Sequence, residues 1–267
     1  MTEMPETHTA KTIAAKTIVA KTITAAILVI GDEILSGRTK DQNIGFIAEF
    51  LTNAGIDLRE VRVVPDIEEE IVAGVNALRQ RYTYLFTTGG IGPTHDDITA
   101  DSVAKAMGVA IDVDERAVDL LLQRLKREDL NEARLRMCRI PQGAELVVNQ
   151  ISAAPGFMIG NVIVMAGVPR IMQAMLANVI GRLETGAKML SQTVEAGLPE
   201  GAYARGLQDV DGKYADVSIG SYPHYNTSGG GFSNQIVIRS KNPASMAQAA
   251  LDVEAMLAAL RANIKMP

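Results

Sequence analysis

The alternation of patterns between Thr24 and Thr88 limits the possible folds more than any other feature of this chain. "TAAILVI" (24–30) is a compact apolar run ended by Gly31. It is too short for a solitary core helix and reads as a strand buried on both faces. Over 43–53 the spacing changes: Ile44, Ile47, Ala48 and Leu51 recur at helical intervals, and Gly55 supplies a C-terminal stop. "VRVV" (61–64) reads as the next strand. Ile67, Ile71, Val75 and Leu78 then mark a second helix, whose first turn carries Glu68, Glu69 and Glu70, where the helix dipole favours acids. "YLFTT" (84–88) is a third strand. Strand, helix, strand, helix, strand predicts a parallel sheet covered by helices, with any ligand beyond the carboxyl ends of the strands. Two loops leave strands at that edge, "GDE" (31–33) and "TTGGIGPTHDDIT" (87–99), so residues distant in sequence can meet over one crevice.

Further along, Ala100, Val103, Ala104 and Met107 predict a short helix stopped by Gly108, and Val118, Leu121, Leu122 and Leu125 a longer one. "ELVVN" (145–149) and "GFMIGNVIVMAG" (156–167) read as strands, with Gly160 and Asn161 as a two-residue hairpin turn. Pro169 opens a helix to about Leu183, with Met172, Met175, Leu176 and Val179 inward. The composition shifts at "ETGAKM" (184–189). Beyond it, "SQTVE", "ADVSIGS" and "NQIVIRS" are strands and Val253, Met256, Leu257 and Leu260 mark an amphipathic helix. This is a small α+β unit over 187–267, following an α/β domain over 22–186. "NTSGGGF" (226–232) reads as a long hairpin loop. Residues 1–21 hold a five-residue near-repeat, "AKTIA", "AKTIV", "AKTIT", whose period fits neither helix nor strand, and a mobile extension is expected.

Composition excludes several classes. A net charge of −5 over 267 residues leaves no broad basic field, so neither nucleic acid nor an acidic membrane surface is an expected partner. No uncharged stretch is long enough for a membrane span. The single cysteine, Cys138, excludes an intrachain disulfide and suits a reducing cytoplasm, the expected location. It reads as a small buried filler. Three scattered histidines do not predict a zinc cluster. Arg134, Arg136 and Arg139 read as a solvated helix face.

The loop after the third strand combines bare backbone with carboxylates. Gly89, Gly90 and Gly92 permit positive φ and close approach to a ligand, and successive amides in such a turn form an anion-binding nest. Asp96 and Asp97 would repel a bare phosphate. Beside Mg2+ or another divalent cation the same acids become ligands, with the metal bridging to phosphate oxygens. A structural reading competes: Thr94-x-x-Asp97 matches a helix capping box, and Asp97 itself can be an N-cap. "GDEILSGRTKDQN" (31–43) poses the same choice. Asp32, Glu33 and Asp41 are surface acids with a helix cap at Asp41, or they gather opposite Asp96 and Asp97. Asp66 reads as a helix cap, and His95 either touches a phosphate or faces solvent.

These motifs carry a resemblance. "TTGGIGPTHDDITADSVAKAMG" resembles the signature of the molybdopterin-binding fold shared by the MoaB and MogA proteins. With "GDEILSGRTKDQNIGFIAEFLTNAGI", "APGF" and "AGVPRIMQAM", the chain resembles the N-terminal domain of CinA proteins and the molybdopterin-binding-like domain of FAD synthases. The match covers about residues 22–183, and "VSIGSYPHY" and "NQIVIRS" resemble the segment that follows in those proteins. The resemblance implies a three-layer α/β sandwich with a mostly parallel sheet, a pterin or nucleotide ligand at the strand ends, and a homo-oligomer. It implies that Gly89, Gly90 and Gly92 hold pterin or phosphate, that Asp97 is the essential aspartate, that Asp41 falls in the region of a second important acid, and that Glu33 is the acid of the strand-end turn. The candidate site is therefore Asp97 and Asp41 as catalytic acids, Gly89, Gly90, Gly92, Thr94, Asp32 and Glu33 as ligand-binding residues, and Asp96 with Asp97 as metal ligands.

Two departures qualify the resemblance. Many CinA proteins carry a proline and a glutamate around "GVP" where this chain has Ala166 and Ile171, which removes a side chain able to help bind ligand. The 267 residues hold no counterpart of the CinA deamidase domain or of the FAD synthase catalytic domain, so neither activity is expected. Three functions remain in view: metal-dependent cleavage of a dinucleotide-like pyrophosphate such as ADP-ribose or FAD, adenylyl transfer to molybdopterin, and binding of a molybdopterin or nucleotide without turnover.

Overall fold

The strand that opens the fold, β1 (Ile23–Ile30), is apolar except at Thr24 because both of its faces are covered. Ala26, Leu28 and Ile30 enter one core cluster, while Ala25, Ile27 and Val29 enter another. The alternation follows from the two-residue period of a strand. The computed structural model describes residues 22–225 and 232–263; the expected extension over 1–21 and all but the end of the "NTSGGGF" loop lie outside the described residues.

After β1 come α1 (Asp32–Leu35), α2 (Asn43–Asn53), β2 (Ile56–Val64), α3 (Glu68–Arg81), β3 (Tyr84–Thr88) and α4 (Thr99–Met107). Next are β4 (Ile111–Val113), α5 (Glu115–Leu122), α6 (Glu132–Arg136), β5 (Arg139–Pro141), β6 (Glu145–Val147), β7 (Gly156–Ile159), β8 (Val162–Met165) and α7 (Pro169–Val179). The central sheet has the order β2-β1-β3-β8-β7-β6. β1 pairs in parallel with β2 and β3, and β3 with β8, while β7 runs antiparallel to both of its neighbours. Residues of α2 and α7 cover one face, through Ile47, Leu51, Met172 and Leu176. Residues of α3, α4 and α5 cover the other, through Ile71, Val75, Val103 and Leu121. This is the expected three-layer α/β arrangement with a mostly parallel sheet.

The C-terminal unit comprises β9 (Leu190–Glu195), α8 (Glu200–Asp211), β10 (Val217–Tyr225), β11 (Phe232–Ser240) and α9 (Pro243–Asn263). Its strands form an antiparallel sheet ordered β10-β11-β9. It has its own core, built from Tyr203, Leu207, Val210, Ile236, Ile238, Val253 and Leu257. An ion pair joins it to the first domain, Lys241 Nζ to Asp57 Oδ1 at 2.7 Å.

The sequence reading did not assign α1, β4, α6 or β5, and α5 is no longer than α4, against expectation. Two further differences bear on packing. β2 begins at Ile56, well before "VRVV", because an edge strand tolerates charges that a central strand would not. Arg59 pairs with Asp57 at 2.8 Å, and Arg62 with Glu60 at 2.8 Å, each two residues apart on one face. The other is α8, which the sequence reading left unassigned. Gly201 and Gly206 obscure its pattern, yet Tyr203, Leu207 and Val210 form a buried stripe. A Cβ on Gly206 would stand 2.9 Å from Met256 Cγ, so this glycine lets α8 and α9 pack closely.

Cys138 is buried among the apolar residues of the first domain, as expected of a filler. Burial, followed by the charges of Asp114 and Glu115, pushes its thiol up to about 11. The nucleophilic thiolate is scarce near neutrality. The native protein is expected to resist a thiol-specific reagent at neutral pH and to react at one equivalent once unfolded in guanidinium. Rapid stoichiometric labelling of the native protein would contradict this burial.

Candidate functional site

The sheet order places a topological switch beside β1. The chain leaves β1 to form β2 on one side, then returns to form β3 on the other. The intervening helices α2 and α3 consequently lie on opposite faces, and the strand ends between them are left open. That gap is where open α/β sheets receive ligands. Three loops close around it: 31–42 after β1, 89–98 after β3, and 166–168 after β8.

Backbone packing sets the loop after β3. Gly89 and Gly90 have φ of 103° and 66°, in the left-handed region. A Cβ on Gly89 would run into the carbonyl oxygen of Ile30, and one on Gly90 into Thr99 Oγ1. The Thr99 hydroxyl donates to the Gly89 carbonyl at 3.0 Å, and the Thr99 amide to the Gly90 carbonyl at 3.0 Å. Gly92 serves differently from the expectation: its φ is not positive, and it is bare because Asp97 Oδ2 would lie 2.7 Å from a Cβ there. The amides of Gly90, Ile91 and Gly92 meet no acceptor among the described residues. Three consecutive free donors on a glycine turn form an anion-binding concavity.

Asp97 does not cap a helix. α4 starts at Thr99, its N-cap residue is Ile98, and no side chain bonds to the cap. Asp97 Oδ2 instead accepts from the Thr94 amide at 2.8 Å and from the Thr94 hydroxyl, which folds the turn on itself. Its other oxygen has no donor among the described residues. Arg136 braces the loop from behind, donating to the carbonyls of Asp97 at 3.2 Å and His95 at 3.5 Å. Arg139 pairs with Asp101 in a half-buried bridge. These arginines therefore tie elements together and do not form the solvated face expected from their spacing. His95 is almost fully exposed.

Two adjoining lobes make up the crevice. The larger, about 530 Å³, is lined by Glu33, Gly89 to Pro93, Asp97 and an apolar wall that includes Met137, Ile171 and Met175. The smaller, about 210 Å³, is of mixed character, lined by Thr39, Lys40, Asp41, Asn43 and Thr88 together with Val29, Ile30 and Ile34. Glu33, Thr39, Gly89, Gly167 and Pro169 belong to both. The lobes thus bring together Gly89, Gly90, Gly92, Asp97, Glu33 and Asp41 from two distant stretches. Thr94 acts one step back, through Asp97. Ala166 and Ile171, the two departures from the CinA pattern, lie on the apolar wall.

Asp32 and Asp96 line neither lobe. Asp66 accepts from the Asp32 amide at 3.0 Å, so it caps the short α1 and not α3 as its sequence position suggested. Burial pushes the Asp66 carboxyl up, as do the nearby charges of Asp32, Glu33 and Asp96. The expected gathering of all five acids is therefore split, with Asp32 and Asp96 grouped around Asp66. Asp96 is exposed and does not share the crevice with Asp97, which separates the expected pair of metal ligands. Asp41 fulfils its capping role: its Oδ1 accepts from the amides of Asn43 at 3.1 Å and Ile44 at 2.7 Å. Asn43 was not singled out by the sequence. Its side-chain amide donates to Gly167 O at 2.8 Å and ties α2 to the loop after β8.

A free glycine nest and acids, set in a two-lobed crevice at a switch point, define the class: an α/β domain that receives a small-molecule ligand at its strand ends. The chain belongs to the family described as "Probable molybdopterin binding domain", which matches residues 26–185. Residues 188–263 match "FAD synthase, middle domain". A protein of Archaeoglobus fulgidus is 33% identical over 197 residues, 74% of this chain and 84% of that one. A protein of Saccharolobus islandicus is 35% identical over 208 residues, 74% and 79% of the two chains. Among solved structures, "the protein CinA with unknown function" from Thermoplasma acidophilum is 33% identical with a TM-score of 0.57, covering 60% of this chain and 98% of that one. The molybdopterin-binding family expected from the loop motif is thus shown, with a CinA protein as a structural neighbour. No helix among the described residues is long and apolar enough to cross a membrane.

Proposed function

We propose that this protein cleaves the pyrophosphate of a dinucleotide-like substrate of the ADP-ribose or FAD type, with a divalent cation. The observation that carries the reading is the row of free amides at Gly90, Ile91 and Gly92 beside Asp97. Amides held in place by the packing of Gly89 and Gly90 need no reorganisation to meet charge on phosphate oxygens. The apolar wall with Met137, Ile171 and Met175 suits a purine, flavin or pterin ring.

Among the described residues no three His, Cys, Asp or Glu side chains form a metal centre by themselves. Mg2+ is commonly held by one or two carboxylates, with substrate phosphates and water completing its shell. Asp97, through its free oxygen, and Glu33 fit that role; Asp96 does not, because it lies outside the crevice. When bound, the cation would neutralise phosphate charge and make an attacking water more acidic. The chain's own part is to orient the pyrophosphate on the amides, seat the ring on the apolar wall and exclude water there. For ADP-ribose, water adds at one phosphorus, the bridging P–O bond breaks, and AMP and ribose 5-phosphate leave.

The same apolar lobe also suits a pterin, and membership of a probable molybdopterin-binding family favours adenylyl transfer to molybdopterin, or binding alone, as the second reading. The test is incubation with Mg2+ and, in turn, ADP-ribose, FAD, or molybdopterin plus ATP, with products identified by mass spectrometry. AMP with ribose 5-phosphate or FMN supports cleavage. Adenylylated molybdopterin would replace it with transfer, and binding without product would leave a binding domain.

A further inference from the structure

The tip of the loop after β3 has little to hold it. Residues 93–96 are exposed. The bonds inside the tip, from the Asp97 amide to the Thr94 carbonyl at 3.2 Å and from the Thr94 amide to Asp97 Oδ2 at 2.8 Å, close it only on itself. Thr99 ties Gly89 and Gly90 to α4, but that anchor stops short of Ile91. Among the described residues, Arg136 makes the only hydrogen bonds that reach residues 91–97 from outside the loop. Its guanidinium spans two carbonyls, those of His95 and Asp97, one on each side of Asp96. Arg136 has no ion-pair partner among the described residues, whereas Arg139, three residues on, is committed to Asp101. The residue after Arg136, Met137, lines the larger lobe, so the end of α6 both holds the loop and forms part of the crevice wall.

We propose that Arg136 is a positioning residue, holding the loop so that Asp97, and not Asp96, presents its free oxygen to a divalent cation beside the glycine nest. The assignment rests on the reading of the crevice as a site for a cation-bound phosphate and deepens it. A hydrogen bond to a carbonyl fixes the plane of the peptide group that bears it. Two such bonds from one rigid, planar donor fix two planes relative to each other. The peptide groups pinned here precede Asp96 and follow Asp97, so the direction in which each acid leaves the chain is set between them. The Thr94 turn cannot do this alone, because it shapes the tip and moves with it. A lysine would carry the same charge on one ammonium and lack the planar fork. Arg136 is also open from the far side of the loop, where it lines a groove of about 760 Å³ with Pro93, His95 and Glu132. A small solute can reach its place without crossing the crevice.

Mn2+ is the direct probe, its bound fraction counted by electron paramagnetic resonance with the full chain. The wild type is expected to bind it, Asp97→Asn to bind it far more weakly, and Asp96→Asn to match the wild type. Arg136→Met keeps the packing stem and removes the donors. It should weaken Mn2+ binding about tenfold, as happens when the support of a metal ligand is lost. Arg136→Lys should fall between the two. Hydrogen exchange gives a readout without metal: in Arg136→Met the segment 90–98 should exchange faster, while β1, β3 and the flanking helices keep their protection. In Arg136→Ala, methylguanidinium entering from the groove should restore Mn2+ binding, and methylammonium should not. Absent Mn2+ binding to the wild type, Mn2+ binding or loop exchange in Arg136→Met equal to the wild type, or protection lost throughout the domain overturns the role. ADP-ribose titrated alongside separates the two readings. Arg136-dependent Mn2+ binding without ADP-ribose binding or cleavage keeps the positioning role and removes the pyrophosphatase proposal. Cleavage that Arg136→Met leaves unaltered keeps the pyrophosphatase and removes the positioning role.

Discussion

Asp97→Asn is expected to lower Mg2+-dependent binding or turnover of ADP-ribose by about 100-fold or more, with little change in stability. The variant separates two roles of one side chain. Asparagine keeps an oxygen that can accept the Thr94 amide, now at 2.8 Å, and the Thr94 hydroxyl, so the turn should survive. What disappears is the charge that a divalent cation needs at the free oxygen. Asp97→Ala would confuse the roles, because it also strips the acceptor from Thr94 and loosens the turn. Calorimetric titration of wild type and Asp97→Asn, each with and without Mg2+, decides the matter. Equal affinities in all four titrations would leave Asp97 a turn-former and remove it from the chemistry.

Gly89→Ala is expected to be the most destabilising single change in the crevice, by about 3–5 kcal/mol, and to abolish ligand binding. The residue sits at φ 103°, and its added methyl would meet the backbone carbonyl of Ile30, which cannot rotate aside. Ile30 ends β1, an interior strand paired on both sides, so relief requires moving the loop or the sheet. For a chain of this size the loss corresponds to a fall of roughly 10 °C in Tm. Gly37→Ala is the control: its φ is 73°, but nothing lies within 4 Å of the added carbon. It should cost only the intrinsic left-handed penalty, about 1–2 kcal/mol. If thermal denaturation gave the two variants the same Tm, the close packing of Gly89 on β1 would not be holding the nest.

Local pattern made the first domain legible. The runs that became β1 and β3 are apolar apart from their threonines and almost wholly buried, because helices cover both sides of the sheet, and that composition is visible without knowing the neighbours. The stripes of α2, α3, α4 and α7 are equally local. The glycines of 89–92 declared a turn, and the strand order implied which edge carried it. Gly160 and Asn161 marked the β7–β8 hairpin by turn chemistry alone. α8 was illegible because its glycines lower helix propensity; Gly206 is explained by α9, which comes close only after folding.

The sequence by itself determined the main strands and helices of the first domain, the edge of the sheet that bears the loops, and the glycine turn with its acids. Only the tertiary structure decided which acids face one another. Asp96 and Asp97 are adjacent in sequence, yet one lies outside the crevice and the other lines it, because the Thr94 turn directs them differently. Asp66 acquired its partner, Asp32, from β1 and β2 lying side by side. Arg136 found the carbonyls of the loop from a segment 39 residues away. The physical reason is common to all three. Periodicity records whether a side chain is buried, a property of its own element, whereas a partner across a crevice depends on strand order and turn geometry, which set neighbours over long separations and leave no local trace.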